Sequence, residues 1–297
     1  MLNQVKDRLV YLSSYVGLGR TQMLHLMRED AHLSKVFSMK AEDIMKKYHI
    51  HGTKASHIVD ERNQEHFLSR IEGYKNEMIQ VLTIMDRAYP TLLKEIYDPP
   101  LVLYFKGDVK LLSQPLMISS VGTRYPSENG KRSLEKILSP LIESGWTIVS
   151  GLAYGIDYLS HKHALQLSGS TIAVLGSGFH HIYPKEHIGM AEEIASKHLL
   201  LSEFPPGQKP AKWQFPLRNR IISGLSRGTL IIEARRKSGS LITGDQALQQ
   251  GREVFAVPGS ILEPRSEGTN HLIQQGAKLT TCAQDILDEL DCVTANV

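Results

Sequence analysis

From Leu116 onward one pattern repeats along the chain: a short apolar run, a glycine-containing turn, then a helical stretch. The apolar runs are Leu116–Val121, Trp146–Val149, Thr171–Leu175, Leu199–Leu201, Thr229–Ile232 and Val254–Val257, and they are rich in β-branched residues. Several are apolar throughout rather than alternating, which is the pattern of strands covered on both faces. Between the first two, Leu134, Ile137, Leu138 and Leu141 keep a helical period that Gly145 ends. Alternating strands and helices of this kind restrict the region to an α/β domain with an open, doubly wound, mostly parallel sheet. Ligands of such sheets bind outside the carboxyl ends of the strands, so the turn after each strand carries the interest.

Those turns are suited to anions. After the first strand comes Gly122-Thr123-Arg124, a glycine for close backbone approach, a helix start and a bidentate phosphate donor. After the second comes Ser150-Gly151-Leu152-Ala153-Tyr154-Gly155-Ile156-Asp157, in which Asp157 reads as a structural cap. After the third, Gly176-Ser177-Gly178-Phe179-His180-His181 begins as a dinucleotide fingerprint but has His181 where the third glycine belongs. It still predicts a backbone able to meet a phosphate. After the fifth, Arg235-Arg236-Lys237 precede Ser238, Ser240 and Thr243 at an expected helix N-terminus.

Charge concentrates in the second half of this region. Between Phe204 and Arg252 there are nine lysines and arginines against Glu233 and Asp245, a local net charge of +7, whereas the whole chain carries +3. Trp213 and Phe215 lie inside the basic segment. Cations interleaved with aromatics point to a polyanion whose bases can stack, a single-stranded nucleic acid. Phe215, between Lys212 and Arg218, is the stacking candidate, and Trp213 reads as core. Arg218 and Arg220 fall on different faces of one expected helix, so one is expected to contact ligand and the other to pair internally.

Residues 1–80 read as a small all-helical domain. Leu9, Leu12 and Val16 share one helix face, and Met23, Leu24, Leu26 and Met27 belong to the next helix. The turn Val16-Gly17-Leu18-Gly19 between them, and a second at Ile50-His51-Gly52, fit compact helix turns that need glycine. Residues 81–115 form a connecting segment that joins the sheet, with Leu101–Phe105 as a strand, and residues 116–297 make up the α/β domain. With 297 residues the chain has ample length for one large and one small domain. No apolar run reaches membrane-spanning length and the N-terminus has no signal-peptide pattern, so a cytoplasmic protein without membrane insertion is expected. Cys282 and Cys292 are too few for a disulfide framework or a structural zinc site. His161 and His163 do not share a helix face, there is no HExxH, and Gly130-Lys131 lacks the upstream glycine of a P-loop. No metal site and no cofactor are therefore expected.

The ordered motifs Val121–Arg124, Ser150–Asp157, Phe215–Ser226, Ser238–Thr243 and Gly251–Gly259 closely resemble the DprA/Smf family (DNA-processing protein A), over roughly residues 85 to 290. The resemblance implies an extended Rossmann-like domain that binds single-stranded DNA without sequence specificity, dimerises, and loads the RecA recombinase onto incoming DNA in natural transformation. The small N-terminal domain resembles the family's sterile-alpha-motif-like module. A C-terminal winged-helix-like module, carried by many relatives, is not expected, because the chain ends soon after the helix Ala283–Leu290. Carried over by residue, the resemblance implies phosphate contacts at Arg124 and Lys212, aided by Gly122, Thr123, Gly176, Ser177, Gly178, Ser240 and Thr243, and base contacts at Phe215 and Asn219. It places self-association around Asn270, Ile273 and Leu279. The implied partners are single-stranded DNA, RecA and a second copy, with single-strand-binding protein and other competence proteins as further candidates. The competing reading is a nucleotide-processing enzyme on a Rossmann-like scaffold, which nucleotide turnover abolished by Asp157→Ala or Glu233→Ala would favour.

Overall fold

The computed structural model describes Leu2 and residues 4–294, with side chains described through Leu290; Cys292 lies beyond those. The chain forms two compact units. One comprises residues 1–89 and 100–104, the other residues 90–99 and 105–297.

The first unit is built from α1 (Val5–Val10), which runs on through a π-helical turn, α2 (Arg20–Glu29), α3 (Ala41–Tyr48), α4 (Gly52–Val59) and α5 (Glu61–Asn76), followed by β1 (Gln80–Thr83). Leu9, Leu12, Val16, Met23 and Leu26 are buried, as their helical spacing requires, together with Ile44, Ile58 and Phe67. Gly17 takes a positive φ of 72° in the first turn. Its carbonyl accepts a bond from Lys54 Nζ at 2.5 Å, and Gly19 N donates to Gln22 Oε1 at 3.3 Å. Both groups of that turn are thus used inside the unit. Strand β2 (Val102–Gly107) begins in this unit and ends in the other.

The second unit opens with α6 (Thr91–Glu95) and then alternates strictly. Strand β3 (Met117–Val121) leads to α7 (Glu128–Glu143), β4 (Thr147–Ser150) to α8 (Ile156–Gln166), and β5 (Thr171–Leu175) to α9 (Ile188–Lys197). Next come β6 (Leu199–Ser202) and α10 (Gln214–Leu225), then β7 (Gly228–Ile231) and α11 (Gly239–Gln249). The unit ends with β8 (Glu253–Ala256), α12 (Glu267–Gln274), β9 (Lys278–Leu279) and α13 (Ala283–Thr294). The six expected strands agree with the structure to within a residue or two at either end; the two-residue β9 has no apolar run to announce it.

Parallel ladders join these strands in the order β6-β5-β4-β3-β7-β8-β9. Ile118 lies opposite Ile148 on one side and Gly228 on the other, and Ile172 opposite Leu199. Every residue of β3 to β7 is buried, which accounts for their unbroken apolar character. On one face Ile118, Ile148 and Leu230 pack against Leu134, Ile137, Leu138 and Leu141 of α7, Ile156 of α8 and Ile286 of α13. The other face takes α10, where Ser119 Oγ donates to Ile222 O at 2.7 Å. The order reverses between β3 and β7. At that switch point two crossovers depart in opposite directions and leave a crevice at the carboxyl ends of the strands. This is the doubly wound, Rossmann-like α/β fold expected from the sequence.

Candidate nucleic-acid interface

The turns after β3, β4 and β5 and the start of α10 meet at the carboxyl edge of the sheet. Arg124, Gly151, Ala153, Tyr154, Tyr183, Pro184, Phe215 and Arg218 line one shallow depression there. Two of the expected contact residues, Arg124 and Phe215, are therefore brought together from positions 91 residues apart in sequence. Arg124 is exposed and Phe215 half-buried. The Phe215 ring lies 5.7 Å from the ring of Tyr183, which is 46 % exposed. Around the depression stand Tyr125 (81 % exposed) and Trp213 (61 % exposed), the latter edge-on to Phe204 at 5.8 Å. Trp213 is thus a surface residue and not core. Trp213 caps the start of α10, where it stays exposed apart from its edge contact with Phe204.

The turns are locked to one another by their small residues. Gly155, at φ +75°, begins α8 where any side chain would collide with the carbonyl of Thr123 and the backbone of Arg124. Thr123 O accepts Ile156 N at 3.2 Å, and Thr123 N donates to Glu233 O at 2.7 Å. A Cβ on Gly122 would come within 2.6 Å of Ile156. These contacts fix the loop that carries Arg124 without using the arginine itself.

The glycine turn after β5 serves the protein's own chain. Gly176 lies under Phe215, whose ring would be 2.8 Å from an added Cβ. Gly178 admits the carbonyls of Pro205 and Pro206, and its N–H donates to Gln208 O at 2.8 Å. Ser177 Oγ donates to His181 O at 2.7 Å. Gly176, Ser177 and Gly178 are buried, packed closely against the Pro205–Gln208 loop and Phe215. The N-terminus of α7 is likewise occupied. Glu233 accepts Ser127 N at 2.9 Å and Ser127 Oγ at 2.5 Å, so an internal carboxylate holds the place where a free anion was expected.

Neither arginine of α10 faces solvent. Arg218 is 4 % exposed; its Nη1 donates to Val174 O at 2.6 Å and to Gly151 O, and its Nε to Asn219 Oδ1 at 3.0 Å. Burial lowers its pKa, opposed by the nearby Asp157. Asp157 is buried too, and burial pushes its carboxyl up, opposed by Arg218 and by backbone hydrogen bonds at Ala153 and Gly151. Arg220 is 7 % exposed and forms a two-pronged pair with Glu203, at 2.6 and 2.8 Å. Arg220 thus pairs internally, while Arg218, bonded to backbone carbonyls, also lines the depression. Arg227 and Arg252 likewise bond to backbone carbonyls, Leu290 O and Leu92 O.

Of the nine cations in the basic segment, Lys209, Lys212, Arg235, Arg236 and Lys237 remain exposed, and none of these forms an ion pair among the described residues. Lys212 stands at the start of α10, beside Trp213. Asn219 is half-buried, its amide donating to Gly239 O at 3.4 Å. Ser240 and Thr243 are buried at the start of α11, with Ser240 Oγ 2.9 Å from Ser238 Oγ. None of these four lines the depression. At the other end of the sheet Asn270 exchanges two hydrogen bonds with Gly259, Ile273 is half-buried, and Leu279 is exposed on the edge strand β9.

Sequence reasoning missed Tyr125, Tyr154 and Tyr183. Tyr125 and Tyr154 each stand four residues beyond the last residue of a strand, so the topology alone points to them. Tyr154 donates to Glu186 Oε2 at 2.7 Å, and this bond pushes its phenol up to about 12.

Fold and edge together define a Rossmann-like protein whose strand ends present an exposed arginine and several aromatic rings at a shallow depression. No helix among the described residues is long and apolar enough to cross a membrane. The family model for DNA recombination-mediator protein A matches residues 80–291, and the chain belongs to that family. DNA processing protein DprA of Bacillus subtilis is 51 % identical over 220 residues, 74 % of either chain. The solved structure of DprA from Streptococcus pneumoniae superposes with a TM-score of 0.85 at 39 % identity, covering 96 % of this chain and 98 % of that one. DprA from Helicobacter pylori, solved to show its single-stranded DNA binding mode, gives a TM-score of 0.64 at 32 % identity over 71 % of this chain and 95 % of that one.

Proposed function

We propose that this chain binds single-stranded DNA along the carboxyl edge of its sheet and acts in the cytoplasm as a recombination mediator. It delivers incoming single strands to the RecA recombinase during natural transformation, as a homodimer joined through the region of Asn270, Ile273 and Leu279. The observation that carries the reading is the meeting of Arg124 and Phe215, with Tyr154 and Tyr183, in one open depression. A guanidinium fixes phosphate bidentately, and rings accept any base by stacking, so affinity arises without sequence preference. Lys212 and Trp213 extend the same chemistry along α10, and Arg235, Arg236 and Lys237 draw the strand in. The single-stranded DNA binding mode described for the Helicobacter pylori relative supports this choice of ligand.

The enzyme alternative would require Asp157 or Glu233 to be free for chemistry. Both are engaged with backbone groups that hold the turns, which favours the binding role.

Fluorescence anisotropy with a labelled oligothymidylate and the matching duplex tests the binding step. Affinity should fall steeply with salt and favour the single strand. Equal affinity for duplex would refute the reading. RecA strand exchange on DNA coated with single-strand-binding protein tests the second step, and acceleration by substoichiometric protein is expected.

A further inference from the structure

A second cavity opens at the switch point itself, between the start of α7, the ends of β7 and β8, and the loop that follows β8. Its volume is about 420 Å³, ample for a nucleobase. Ser127, Asn129 and Ser133 line it from α7, Glu233 from the end of β7, and Ser260 and Glu263 from the loop. Among the described residues none of its lining groups is a lysine or arginine, so its chemistry differs from that of the Arg124 depression and does not suit phosphate. The two sites are joined by covalent and hydrogen-bonded continuity. Arg124 and Ser127 belong to the same β3–α7 turn, and Thr123 N bonds to Glu233 O at 2.7 Å.

We propose that this cavity receives a splayed base of the bound strand and prefers one with an exocyclic amino group. The inference rests on the single-stranded DNA reading above. Carboxylates only accept hydrogen bonds, and each oxygen has room for more than one. Glu233 spends one acceptor position per oxygen on Ser127, and Glu263 Oε1 accepts both Arg265 N at 3.2 Å and Arg265 Nε at 3.1 Å, which leaves lone pairs on Glu233 and on Glu263 Oε2. Cytosine N4, adenine N6 and guanine N2 donate to such groups, as carboxylates accept from cytosine N4 in duplex readout. Thymine has only N3–H, flanked by two carbonyl oxygens that a carboxylate repels. The serine hydroxyls and the Asn129 amide can serve either edge of the base. A modest base bias is thereby superimposed on an affinity that phosphates and stacking make general.

Competition anisotropy with the full chain tests this, using a 20-residue oligothymidylate and the same oligomer with every fourth base replaced by cytosine. The cytosine-bearing strand should bind about fivefold to tenfold more tightly. Glu263→Gln and Asn129→Ala should each shrink that ratio while leaving oligothymidylate binding unchanged. Glu233→Gln should do likewise if the α7 cap survives, and the two other variants decide the matter if it does not. A ratio near one, or a ratio that both Glu263→Gln and Asn129→Ala leave intact, would overturn the cavity assignment with DNA binding still standing. Failure to bind oligothymidylate at all would remove both readings together.

Discussion

Arg220→Ala separates a scaffold arginine from a DNA-contacting one. In the structure the Arg220 guanidinium donates twice to Glu203, at 2.6 and 2.8 Å, and its Nε faces Asp98 at 3.4 Å. Removing one partner of a buried pair costs about 3–5 kcal/mol, because the other charge is left without compensation. Glu203 keeps 20 % side-chain exposure, so the lower end, about 3 kcal/mol, applies. For a unit of this size that corresponds to a fall in Tm of about 6–12 °C. Burial already holds the Glu203 carboxyl above its ordinary value, with Arg220 opposing the rise. A carboxyl raised in this way binds its proton more tightly when folded than when unfolded. Its contribution to stability is therefore greatest at low pH and is lost as pH rises through the folded value. Without Arg220 the folded value rises further, so the destabilisation should be larger at pH 8 than at pH 5. Urea unfolding at both pH values, with anisotropy on oligothymidylate well below the transition, measures stability and binding separately. Wild-type stability combined with lost DNA affinity would refute the scaffold role.

Arg124→Ala should leave Tm unchanged, because the side chain is exposed, and should lower the salt slope of oligothymidylate binding by about 0.7, the share of one single-strand phosphate. Phe215→Ala should weaken binding by about 1–3 kcal/mol, the worth of one stacked base, read by the same anisotropy assay. Gly178→Ala should act on the scaffold, because the new methyl meets the Pro205 and Pro206 carbonyls; a lower Tm and faster proteolysis of the 205–208 loop are expected.

The sheet was legible because its strands are buried on both faces and so cannot hide as alternating patterns. The switch-point edge followed from that order, and with it the place of Arg124 just beyond the end of β3; Phe215 reaches the same edge from the start of α10. What was not legible was the partner of each special residue. A glycine such as Gly176 or Gly178 says that something comes close, yet a phenyl ring or a proline carbonyl satisfies that demand as well as a phosphate. Charge is equally silent about direction: Arg218 and Lys212 read alike in sequence, and only the packing of α10 sends one into the carbonyls of Gly151 and Val174 and the other to solvent. Size and apolarity suggest core for Trp213, whereas the position it occupies at the cap of α10 is exposed. Tyr125 and Tyr154 share one position, four residues beyond a strand end, which has meaning only once the strands are placed, and Tyr183 belongs to no such pattern.

Photocrosslinking with an oligomer that carries 5-iodouracil, followed by mass spectrometry of the attached peptides, addresses the central claim most directly. The account predicts attachment at Phe215, Tyr183 or Tyr154, lost on competition with unlabelled single strands and reduced by Arg124→Ala. Attachment confined to residues 1–80 or to the α12–β9 region, with the strand-end aromatics unmarked, would contradict it.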